Sequence, residues 1–179
     1  MMRRILCVLA VAITAIAAGP ADDIHVSGGG TKQTDWAIAQ IREKLAADIK
    51  PVEYNSKGGK HVFACVPLAA VLKAAGVDTD FAMQGGADSK TKHPQMRLAV
   101  LVRGHDGYGA VFSMAELLPM VGNRAVWLAI DEDGKPLADA DGPMRLIVPE
   151  DQMPARGVHQ VASIDVVDLS AAATQPSNP

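Results

Sequence analysis

Few side chains in this sequence could do chemistry, and they are scattered. Once an N-terminal leader is set aside, Cys65 is the one cysteine left, because Cys7 falls inside that leader. A thiolate could serve as a soft metal ligand or a redox group. A lone cysteine between Phe63 and Val66 reads instead as a small buried hydrophobe. With one thiol, the mature chain can close no internal disulfide. His105 and Asp106, with Tyr108 close by, are the residue types of an acid–base pair. Neighbours in sequence rarely face each other, however, so Gly104-His105-Asp106-Gly107 reads as a turn, with Tyr108 lining a cleft.

Other constellations carry less. His25, His61, His93, His105 and His159 show no spacing that puts two on one helix face, so no metal site is expected. Asp131, Asp133, Asp139 and Asp141 surround two turns without EF-hand spacing and read as a solvated acidic rim. There is no Gly-x-Ser-x-Gly, no Walker loop and no dinucleotide fingerprint.

The elements that must position these residues follow from periodicity. Thr34 is the expected cap of a helix running to about Asp48, with Ile38, Ile41 and Leu45 on one face. Val52 and Tyr54, then Val62 and Ala64, alternate as strands do, around a hairpin turn at Ser56-Lys57-Gly58-Gly59. Pro67 opens a short helix with Leu68, Val71 and Leu72 inward and Gly76 as its stop. Residues 81–94 read as a surface loop and Met96–Val102 as a strand. Ser113 and Glu116 have capping-box spacing for a short helix that Pro119 limits. Ala125–Ile130, Arg145–Val148 and Val158–Val167 complete the strands. Mostly strands with a few short helices indicates an α+β domain rather than repeated βαβ units.

The chain has 179 residues, a length that suits one domain. Apolar residues make up 49% and aromatics only 4%, so the core is expected to be aliphatic. The net charge of −3, with no run of lysine and arginine, argues against a nucleic-acid partner. Arg3 and Arg4 precede the apolar stretch Ile5–Ala18, and Ala15-Ile16-Ala17 offers a small-x-small cleavage site. That stretch falls short of the roughly 20 residues a spanning helix needs. Residues 1–17 therefore read as a signal peptide that leaves no stable membrane span after cleavage. The short basic segment and strong apolar core favour secretion of the unfolded chain over the twin-arginine route that Arg3-Arg4 suggests. Residues 18–33, with Gly28-Gly29-Gly30, read as a flexible lead-in, 34–168 as the domain and 169–179 as a disordered tail.

Three segments, in order, carry a resemblance: Phe63-Ala64-Cys65-Val66-Pro67-Leu68 leading into Val71–Gly76; Gly104-His105-Asp106-Gly107-Tyr108; and Gly142-Pro143-Met144-Arg145-Leu146-Ile147-Val148-Pro149. Together they resemble the oxidoreductase molybdopterin-binding domain, the sulfite-oxidase-type fold, and above all its short exported members. The resemblance implies a mixed, mainly β domain. It also implies that Arg145, after the Gly-Pro step, and Arg156 and His159, near the last strand, grip the phosphate of a pterin. A guanidinium suits that role, being permanently charged and two-pronged; the alternative is that Arg145 anchors a buried carboxylate or carbonyl. Catalytic members bind molybdenum through a cysteine well upstream of the segment that here reads Phe63–Leu68, and residues 25–64 contain none. Cys65 falls where the family has a small residue.

The expected function is accordingly that of a periplasmic or secreted, non-catalytic relative with no resident cofactor. It would bind an anionic small molecule or an exported protein partner in the former cofactor cleft, lined by Arg145, Arg156, His159 and Tyr108. The alternative is a molybdenum-pterin oxidoreductase, ligated by Cys65 or without cysteine, that passes electrons to a redox partner.

Overall fold

The computed structural model describes residues 23–30, 33–56, 58–80 and 93–170. The expected signal peptide, most of the 81–94 loop and nearly all of the C-terminal tail lie outside them. Among the described residues, ten strands form two sheets packed with three short helices, an α+β architecture that is mainly β.

The first sheet runs β2 (Thr34–Ala37), β1 (Asp23–Gly28), β10 (Val161–Asp168), β5 (Leu98–Gly104), β6 (Gly109–Ser113). β1 lies parallel to β10, and the other neighbours are antiparallel. The segment expected to be a flexible lead-in therefore holds a strand with neighbours on both sides. Its physical reason is alternation: Ile24 and Val26 point inward and are 0% exposed. The glycine after them is required by packing, since a Cβ on Gly28 would sit 1.9 Å from the Val166 carbonyl oxygen. Thr34 is likewise in a strand rather than at a helix cap. Buried Trp36 fixes β2 against Ile24, and the helix α1 starts later, over Ile38–Lys44. The Gln40 side chain caps it by accepting from the Ala37 N–H at 3.1 Å. Ile41 and Leu45 are buried as the periodicity predicts.

The second sheet runs β3 (Lys50–Ser56), β4 (Gly59–Pro67), β7 (Trp127–Glu132), β8 (Lys135–Pro136), with β9 (Arg145–Ile147) also on β7. The β3–β4 hairpin turns where expected, but the inward phase on β4 differs. Phe63 and Cys65 are buried while Val62 is 44% exposed. The β4–β7 register shifts between Ala64 and Cys65, where β7 carries the extra residue Ile130, and Val66, alternating with Cys65, faces the opposite layer.

Both helices read from local signals are present. α2 (Leu68–Ala74) follows Pro67 and buries Leu68, Val71 and Leu72. α3 (Met114–Leu117) carries the reciprocal cap, with Ser113 N–H donating to Glu116 and Glu116 N–H donating to Ser113 Oγ. The main core draws Val26, Val100, Phe112 and Ile164 from one sheet and Val66, Leu128 and Leu146 from the other, so it fills the space between them. A second, smaller cluster of Tyr54, Phe63, Cys65, Ala129, Leu137 and Ile147 lies on the other face of the second sheet. Among the described residues, no helix is long and apolar enough to cross a membrane.

Candidate functional site

Arg145 reaches its place through strand pairing. It opposes Ala129 on β7, and Ala129 opposes Cys65 on β4. Directly opposed residues share a face, so the arginine and the thiol look the same way from strands about 10 Å apart. That face is the one with the smaller cluster, and Arg145 lies over the rings of Tyr54 and Phe63, 5.7 and 5.9 Å from their centroids. It is only 6% exposed. Nη1 donates to Ser56 Oγ at 3.0 Å and faces Asp141 Oδ1 at 3.6 Å, while Nε is buried with no hydrogen-bond partner.

The same Asp141 oxygen holds His159 through Nδ1. One carboxylate oxygen thus bridges two of the basic groups singled out in the sequence. Gly104 packs beneath His159, where a Cβ would come within 2.5 Å of the His159 carbonyl oxygen.

Arg156 belongs to a different group. Its Nε and Nη2 clasp Asp151 at 2.8 and 2.6 Å, and Nη1 reaches Glu116 at 3.4 Å. Arg124 adds a further contact to Asp151 at 2.6 Å. Hydrogen bonds from Arg156 and then Arg124 hold the Asp151 carboxyl below the usual carboxylate range, and Asp151 in turn raises Arg156. The guanidinium of Arg156 stacks on Phe112 at 4.9 Å. Tyr108 donates its hydroxyl to the Ala155 carbonyl and is 49% exposed. Asp106 accepts from the Tyr108 N–H at 2.9 Å, the turn chemistry expected of this segment.

The four residues therefore do not converge on one open cleft. They divide into an Arg145–Asp141–His159 cluster and an Arg156–Asp151 network beside Tyr108. A small cavity of about 280 Å³ is lined by Asp151 of the second group and by Tyr54, but by none of Arg145, Asp141 and His159. A larger cavity, about 910 Å³, is lined by Ile38, Ile130, Leu137, Pro143, His105 and Gln160. None of the four lines it. Arg42, which does, forks onto Asp131 at 2.8 and 2.6 Å. The acidic rim is accordingly a set of partners: Asp131 serves Arg42, Asp133 serves His61, and Asp141 serves Arg145 and His159. No sequence spacing could reveal these pairs, which join residues up to 89 positions apart.

Cys65 is 0% exposed, within the Tyr54–Phe63–Ile147 cluster. Desolvation pushes its thiol up to about 12, so the metal-binding thiolate is the disfavoured form.

A family profile described as the oxidoreductase molybdopterin binding domain matches residues 26–174. Among solved structures, the sulfane dehydrogenase SoxCD of Paracoccus pantotrophus superposes with a TM-score of 0.55 at 18% identity. The match covers 82% of this chain and 38% of that one, so the chain spans well under half the length of its neighbour and shares its fold. No curated protein matches the sequence.

Proposed function

Because the chain belongs to the oxidoreductase molybdopterin-binding domain family, we propose that it is a non-catalytic member, exported to the periplasm or secreted, that works by binding a protein partner. One observation carries this reading: every basic side chain that the family resemblance assigns to the pterin phosphate is already engaged by a carboxylate of the chain itself. Arg145 and His159 share Asp141, and Arg156 is clasped by Asp151.

The donor set does not fit the cofactor. A phosphate brought to Arg145 and His159 would meet the Asp141 carboxylate at contact distance, a like-charge encounter beside a buried guanidinium. The one thiol of the described residues is sealed in the core and held protonated. No step is therefore derived through molybdenum or a pterin. Of the two occupants considered for the old cleft, an anionic small molecule and a protein, the internal pairing supports the protein. Around the Arg156 network, Tyr108 and Met153 expose apolar surface of the kind that protein contacts use.

The test is molybdenum and pterin content of the full chain, produced together with working cofactor synthesis and recovered from the exported fraction. Mass spectrometry for the metal and fluorescence for oxidised pterin should find neither, in wild type and in Cys65→Ser alike. Near-stoichiometric molybdenum with pterin would overturn the proposal, and its loss in Cys65→Ser would identify the ligand.

A further inference from the structure

Outside these clusters, three potential metal ligands meet at the far end of the smaller core cluster. His61 and Phe63 lie on one face of β4, their rings 6.4 Å apart. His61 Nδ1 faces Asp133 Oδ2 at 2.8 Å and Glu132 Oε1 at 3.3 Å. One donor atom from each of the three residues can be chosen so that all lie within 4.8 Å of one another.

The placement is built into the sheet. Glu132 opposes Phe63 across the β4–β7 pairing. Asp133 is tied to β4 twice: its N–H donates to the Val62 carbonyl at 2.8 Å, and its Oδ1 accepts from the Val62 N–H at 3.0 Å. That second bond occupies one carboxylate oxygen and turns the other toward the imidazole. His61 and Glu132 stand on paired strands and Asp133 on the turn that follows β7, pinned to Val62 by both bonds, so the three donors are preorganised.

Charge and ligand type narrow the occupant. The His61 and Glu132 side chains are 28% and 24% exposed and that of Asp133 53%, so two carboxylates and an imidazole meet at the edge of solvent. With the imidazole protonated the trio carries a net charge of −1; a divalent cation on the neutral ring brings it to zero. Calcium and magnesium favour all-oxygen shells, whereas one imidazole nitrogen with carboxylate oxygens suits a borderline first-row cation such as Zn²⁺.

We propose that His61, Glu132 and Asp133 form a binding site for one Zn²⁺-class cation. Three protein donors leave a coordination position for water or for a donor from a bound partner. This site shares no residue with the Arg145 and Arg156 clusters, so its fate is independent of the proposed function.

The full chain, stripped with a chelator, would be titrated with Zn²⁺ by calorimetry and with Co²⁺ by visible absorption. The proposal expects one cation per chain and a Co²⁺ ligand-field band. His61→Ala and Glu132→Gln should weaken binding about tenfold or more, with unchanged circular dichroism. His25→Ala and His159→Ala, at the other histidines paired with a carboxylate, should leave it intact. Absence of binding, equal binding in His61→Ala and Glu132→Gln, or loss in either control would overturn the assignment.

Discussion

Arg156 and Arg145 both sit near the last strands, both face carboxylates and both stack on aromatic rings, yet their surroundings differ. Arg156, with 29% of its side chain exposed, forks onto Asp151 at 2.8 and 2.6 Å and has Glu116 as a second acceptor. Arg145, with 8% exposed, has only the 3.0 Å bond to Ser56 and the 3.6 Å approach to Asp141. Its Nε is orphaned; Arg124 shares that defect, but its terminal nitrogen still closes on Asp151 at 2.6 Å. The drier arginine is thus the less well held. Two arginines and two carboxylates balance around Asp151, a finished structural network. At Arg145 the one carboxylate oxygen is shared with His159, and a guanidinium nitrogen stays unpaired.

The comparison can be broken most forcefully at Arg145. Arg145→Ala takes one of two basic partners from Asp141 and removes the cover over Tyr54 and Phe63. A loss of about 3 kcal/mol is expected in denaturant unfolding, toward the low end for a buried pair because Asp141 keeps His159. A loss under about 1 kcal/mol would mean that the arginine is not held as described.

Asp151→Asn should cost somewhat less, about 2 kcal/mol near neutral pH, since charged hydrogen bonds to two arginines weaken together. The pH dependence has a definite sign. Asp151 has a lowered folded pKa, so its contribution is complete above the unfolded carboxylate value of about 3.9 and fades as pH falls through the folded one. The gap between wild type and variant should therefore narrow on acidification below about pH 4. A gap that stays constant would remove Asp151 from the account.

The smallest effect sharpens the contrast between the clusters. Asp141→Ala should let inorganic phosphate shift the NMR signals of His159 and of the Arg145 side chain, saturably, where wild type shows no response. Asp151→Ala should gain nothing comparable, because Glu116 still faces Arg156. Equal responses in the two variants would erase the distinction.

What the sequence made legible was local. Pro67 before Leu68, the Ser113–Glu116 cap and the Ser56–Gly59 turn each draw their signal from within a few residues, and each appears in place. The family resemblance, resting on three ordered segments, holds over nearly the whole domain. β1 and β2 were hidden because three glycines and a plausible cap at Thr34 outweighed the short alternation of Ile24, Val26 and Trp36. β6 is only five residues long and follows a turn, with Phe112 as its strongest signal. At the site, residue types were readable but partners were not. Nothing near Arg145 in sequence points to Ser56, 89 positions away, and nothing near His61 points to Asp133.

The parallel pairing of β1 with β10 bears on how this protein comes into being. Ser27 bonds Asp165 across 138 positions, and the register His25↔Ser163 joins the first described strand to the last. Such distant pairing imposes a high contact order, and the first sheet stays incomplete until the final strand is available. A chain that has not yet delivered β10 cannot close it.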